Sequence, residues 1–191
     1  MPGLQSTGVS EVFIQHYAAR FVFSQMCHAL DREFPRDRKI TFVCIGIDRS
    51  TGDSFGPLTG TLLKQLGVQN VFGTLEVPVH AGNLVRMLEG VDRDMFVVAI
   101  DAALGRAEDL GKIYVRRDPL RPGTAVDRDL PPVGDLSLVM NVNVAGVANH
   151  LFLNHASLNI VWRGAQIVAR SIVGVLYRIR KEPGSRSALD R

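Results

Sequence analysis

Two short runs of almost uninterrupted apolar residues constrain this chain more than any other feature: ITFVCIGI at 40–47 and MFVVAI at 95–100. A strand with one wet face alternates apolar and polar residues. A strand covered on both faces reads as a continuous apolar run rich in β-branched residues, as these do. Between them, DRSTGDSFGP is a turn-rich loop, and Leu58, Leu62, Leu63 and Leu66 form one helical stripe over 57–66. The outline then recurs. VFGTLEV at 71–77 predicts a second strand, PVHAGNL a second loop, and Leu84, Val85 and Leu88 a second helix. Strands that alternate with helices argue for an α/β fold with a largely parallel sheet.

The flanks read differently. Residues 10–33 place Val12, Phe13, Tyr17, Phe21, Met26 and Leu30 at helical spacing, with Ser10 as N-cap, and FPRDRK follows as a connector. Strands are predicted at 112–116 and 136–142. The connection between them is rich in proline and glycine and longer than compact domains usually carry without a functional reason. Residues 144–180 read as two helices meeting near 154–157. A length of 191 residues suits one domain, with a helix and connector at 1–39, a core at 40–182 and a flexible tail at 183–191.

Composition excludes several classes. Two cysteines, Cys27 and Cys44, cannot build a disulfide scaffold or a four-cysteine zinc site, and both read as buried hydrophobes. The net charge of +3 comes from 22 basic against 19 acidic residues. Much of the excess lies in Arg178, Arg180, Lys181, Arg186 and Arg191, a basic tail rather than a basic face, so no nucleic-acid partner is expected. The first residues carry no export signal. The apolar stretch 167–177 is broken by Arg170 and flanked by Arg163 and Arg178, so no membrane partner is expected either, and the location expected is the cytoplasm.

Open parallel sheets bind ligands outside the carboxyl ends of their strands. The first strand is followed by Asp48 and Asp53, the second carries Glu76 near its end with His80 after it, and the third ends at Asp101. Acids from distant parts of the chain therefore converge on one rim. Two close carboxylates cannot both ionise cheaply, so one can activate water while the other donates a proton. Asp53 and Asp101 are the preferred pair. The competing reading is that an aspartate at a strand end caps a turn or a helix, as Asp53 is placed to do. The loop 46–56 matches neither GxGxxG nor GxxxxGK[ST], and its aspartates oppose phosphate. Ser54 has no triad context and no GxSxG elbow.

Five segments together resemble the YyaC-type sporulation proteins of endospore-forming bacteria: CIGIDRSTGDSFGPLTG, GTLEVPVHAGNL, AIDAALGR, PLRPGTAVDRDLPPVGD and NVNVAGV. That family is similar to the spore germination protease and, more remotely, to the endopeptidases that mature nickel–iron hydrogenases. The resemblance implies a three-layer α/β/α sandwich of phosphorylase/hydrolase-like type with a largely parallel, mixed central sheet. It implies two essential acids, one in a D-x-x-G-P segment, here Asp53 to Pro57, and one in an I-D-A segment, here Asp101. The hydrogenase-type relatives also use a histidine at nickel, at whose place Asn143 stands. A neutral amide replaces imidazole poorly there, so neither a metal nor a cofactor is expected. The expected activity is that of an aspartic-type peptidase, with Asp48, Arg49, Glu76, His80 and Asn143 lining the site and the 119–135 connection covering the cleft or presenting a substrate groove. The expected substrate is a protein or peptide, spore proteins among the candidates. The apolar C-terminal helical region suggests a homodimer. The alternative is a non-catalytic protein that keeps the fold to bind a peptide or partner.

Overall fold

A computed structural model describes residues 11–122, 130–146 and 149–182. In chain order the strands are β1 (Glu11–His16), β2 (Ile40–Cys44), β3 (Val71–Phe72), β4 (Phe96–Gly105), β5 (Lys112–Arg116) and β6 (Leu136–Val144). The helices are α1 (Val22–Glu33), α2 (Phe55–Gln65), α3 (Leu84–Leu88), α4 (Asn149–Asn154) and α5 (Leu158–Lys181). The strands form one mixed sheet in the order β1-β5-β6-β4-β2-β3. β3, β2, β4 and β6 run parallel, and β5 lies antiparallel to both β6 and β1.

Side chains of a strand alternate between the two faces of a sheet. On one face, Phe42, Cys44, Val98, Ile100, Leu138 and Met140 pack with α1, α2 and α5 in the main core. On the other, Val43 and Ala99 join Val79, Leu84 of α3, Leu120 and Val133. The three layers are therefore unequal. Three long helices cover one side, while the five-residue α3 and the ends of the 119–135 connection cover the other. No helix among the described residues is long and apolar enough to cross a membrane.

The predicted N-terminal helix is instead a strand and a helix. Glu11–His16 pairs with β5, and α1 starts only at Val22, after Phe21 takes a left-handed φ of 64°. The spacing of Val12, Phe13 and Tyr17 fits either structure in so short a stretch, and pairing with β5 decides it.

The second predicted strand stops at Phe72, because Gly73 turns away with φ +85° against the backbone of Cys44. Residues 74–77 then fold on themselves through Thr74 N–H to Val77 O and Val77 N–H to Thr74 Oγ1, both 3.1 Å, while Leu75 N–H donates to Thr61 Oγ1 of α2 at 2.9 Å. β4 runs past its predicted end to Gly105, because β6 continues beside it.

The 119–135 connection closes at its base, where Leu120 and Val133 exchange two backbone hydrogen bonds of 2.8 Å. These ends sit near the amino end of β6, away from the rim to which Asp101 was assigned, so the described ends do not cover a cleft there. Residues 123–129 and the predicted tail at 183–191 lie outside the described residues.

Candidate active site

β2 ends at Cys44, which pairs with Ile100 of β4. Asp101 is the next residue of β4, so it emerges just past the end of β2 and points to the α3 face, the side opposite Ile100. It sits within a strand rather than at its end. The space that β2 vacates is filled by the loop from Ile45 to Ser54, the loop that carries Asp53.

Backbone contacts hold this loop from three sides. Ile45 N–H donates to Ile100 O at 2.7 Å, Gly46 N–H to Val79 O at 2.8 Å, and Gly52 N–H to Leu153 O of α4 at 2.8 Å. Gly46 is required twice over. Its φ of +140° suits glycine, and a Cβ there would run into the carbonyl of Asp53. Asp53 is then fixed by its own loop, for Ile47 N–H donates to Oδ2 at 2.9 Å. In Asp101, Oδ1 accepts from Ala102 N–H at 2.8 Å. The other oxygens, Oδ1 of Asp53 and Oδ2 of Asp101, have no hydrogen bond among the described residues. As whole residues both are partly exposed, but the Asp101 carboxyl itself is buried.

The two acids are electrostatically coupled and unequal. Burial raises the Asp101 carboxyl well above the usual range, and the charge of Asp53 raises it further against the lowering effect of Ala102 N–H. Burial also raises Asp53, but the Ile47 N–H and the nearby His80 oppose the rise. Of the pair, Asp101 is the more strongly raised and so the harder to ionise.

His80 is positioned by a compact turn. Its backbone N–H donates to Asn83 Oδ1 at 2.8 Å, and Asn83 Nδ2 donates to Pro78 O at 3.0 Å. Gly82 N–H donates to the ring Nδ1 at 3.1 Å, which ties the ring to the same turn. Asn83 is a positioning residue that the sequence reading passed over. The signal was present in PVHAGN, because an asparagine can close a turn through hydrogen bonds to backbone near it in sequence.

The other predicted residues make no hydrogen bond with either acid among the described residues. Asp48 and Arg49 are exposed, and their side chains make no hydrogen bond or ion pair among the described residues. Glu76 sits on the exposed turn after β3, beside a groove of about 590 Å³ along that edge of the sheet, lined also by Thr61, Lys64, Phe72 and Met87. Asn143 is committed to structure. Its Nδ2 donates to Phe152 O at 2.7 Å and its Oδ1 accepts from Val144 N–H at 2.9 Å, which ties α4 to β6. Ser54 Oγ donates to Thr51 O at 2.7 Å, whereas Ser50 Oγ lies buried in the same loop without a hydrogen-bond partner.

The donor set does not fit the nickel-contacting acid, aspartate and histidine of the hydrogenase-type relatives. Both polar atoms of Asn143 are already used, and among the described residues no three His, Cys, Asp or Glu side chains gather to hold a metal ion.

A family model described as "Protein of unknown function (DUF1256)" matches residues 14–171. The uncharacterized protein YyaC of Bacillus subtilis (strain 168) is 42% identical over 140 residues, covering 71% of this chain and 68% of that protein. Among solved structures, the NiFe hydrogenase maturation protease HycI from Thermococcus kodakarensis KOD1 superposes with a TM-score of 0.54. It covers 78% of this chain and 98% of its own at 18% identity, a likeness of fold.

Proposed function

The chain belongs to the DUF1256 family, and from that premise we propose that it is a peptidase of sporulating bacteria in which Asp53 and Asp101 activate water. The observation that carries this reading is the placing of Asp101, just past the end of β2, beside the loop that carries Asp53, each acid with one oxygen unbonded among the described residues, in a protease-like fold. Asp53, as carboxylate, takes a proton from a bound water while the water oxygen attacks the peptide carbonyl carbon. Asp101, as acid, gives its proton to the carbonyl oxygen. When the tetrahedral intermediate collapses, the proton on Asp53 passes to the leaving amine, the C–N bond breaks, and one hydroxyl returns its proton to Asp101 as the C=O of the new carboxyl forms. His80 favours the ionised form of Asp53, and Asn83 positions it.

Both acid forms are needed at once, so the rate should follow a bell in pH. The two limbs belong to the coupled pair, and the alkaline limb, to which the raised Asp101 contributes most, lies above the usual carboxylate range. The test is cleavage of an unfolded protein such as casein, and of isolated spore proteins, by the full chain across pH. Asp53→Asn and Asp101→Asn should each lower the rate by about 10²–10⁴-fold. Rates equal to wild type in both variants would sink the assignment.

The second reading is a binding protein without catalysis. One observation favours it: each carboxyl spends one oxygen on a backbone N–H, as a structural aspartate does. Under that reading no cleavage is seen in any variant, and both Asn variants still bind the partner.

A further inference from the structure

We propose that the outward face of α5 docks on an anionic membrane, so that the protein lies on lipid headgroups through this helix. Three of the residues read from sequence as a basic tail, Arg178, Arg180 and Lys181, belong to α5. At 3.6 residues per turn, Trp162, Arg163, Arg170, Tyr177, Arg180 and Lys181 fall on one side of the helix, and all are exposed. Their opposite side, with Val161, Ala165, Val168 and Ile172, is buried in the main core. Over its 24 residues α5 contains no aspartate or glutamate. The result is a cationic stripe roughly 27 Å long from Arg163 to Lys181.

These charges are not neutralised from neighbouring elements. Arg163, Arg170, Arg180 and Lys181 form no ion pair among the described residues; Arg163 lies 5.4 Å from the Tyr17 ring centroid and Lys181 4.4 Å from that of Tyr177. The acids that α1 and the end of α5 bring to this side are held elsewhere. Asp31 and Glu182 bind Arg36, and Glu33 binds Arg117. The stripe therefore asks for an anionic partner.

The neighbouring rings select which one. Phe21 and Phe23, at the start of α1, are 62% and 45% exposed. The Phe23 ring reaches α5, where a Cβ on Gly174 would stand 3.7 Å from Cζ. Phe21 is held with φ of 64°, a conformation bulky side chains avoid, while its ring stays in solvent under the Arg20 guanidinium at 4.6 Å. Cations interleaved with exposed Trp, Tyr and Phe are the composition of surfaces that rest at the headgroup level of a bilayer. A nucleic-acid duplex would match the charges but offers the two phenylalanines no apolar medium. The expectation of no membrane partner rested on the lack of a spanning segment, which a surface contact does not need.

The experiment is co-sedimentation of the full chain with vesicles of phosphatidylcholine alone and of an equal mixture with phosphatidylglycerol. Wild type should bind only the anionic vesicles and dissociate as salt is raised. Charge reversal in Arg163→Glu/Arg170→Glu/Lys181→Glu should weaken binding about tenfold or more. Phe21→Ser/Phe23→Ser should weaken it while leaving the salt dependence in place. Circular dichroism checks the fold; if the triple variant unfolds, Arg170→Glu alone and the wild-type salt series carry the test. Equal sedimentation with both vesicle types, or binding to a short DNA duplex without binding to anionic vesicles, would overturn the proposal.

Discussion

Asp101 is costly to keep where it is. Its carboxyl is buried beside a second acid, so the folded protein holds its proton more tightly than the unfolded chain does. Below the unfolded value, about pH 4, both states are protonated and the group has no effect on stability. As pH rises, the unfolded chain ionises first, and stability falls until the raised folded value is passed. Asp101→Asn removes this loss. Wild type and variant should melt together near pH 3 and separate above it, the variant higher by about 2–4 °C per kcal/mol relieved, followed by calorimetry. A variant that melts below wild type at neutral pH would contradict the stated environment of Asp101. The acid pair itself was legible in the sequence, because each acid follows a recognisable apolar run. The misplacement of Glu76 was not. It followed from reading VFGTLEV as one strand, when Gly73 ends pairing within it.

Among the elements, α3 has the most slender hold. It is five residues long, and Leu84 is its one buried side chain, fully enclosed with Val79, Ala99 and Val133. Removing that side chain opens a cavity under the turn that carries His80 and Asn83. Leu84→Ala should cost about 2–5 kcal/mol, seen in urea denaturation as a lower midpoint with unchanged slope. The helices and strands whose apolar period was long and unambiguous, such as α2 and α5, are found close to where the sequence predicts them. The N-terminal segment was not legible. Six residues fit a helical or a strand period alike, and the partner that decides is β5, far along the chain. The extension of β4 has the same origin, since a strand's length depends on the neighbour that continues beside it.

At the scale of the whole molecule, the sheet is bounded by the first strand of the chain. β1 covers β5, and Phe13 enters the main core with 8% exposure. Deleting residues up to His16 removes that side chain and leaves β5 as an unprotected edge, which invites pairing between molecules. The shortened protein should elute as higher-order species in size-exclusion chromatography and bind an apolar dye, while the full chain does not. An unchanged elution profile would show that β1 is dispensable.

That pairing also sets a timetable. His16 faces Lys112 across the ladder, so the first strand made must wait for one synthesised almost a hundred residues later. At about 5–20 residues per second the interval is roughly 5–20 s on the ribosome. The β2–β4 ladder needs no residue beyond β4, whereas the loop that carries Asp53 also waits for Leu153 of α4. The β1 edge of the sheet is therefore finished late, and a nascent chain carries β1 unpaired until β5 has been made.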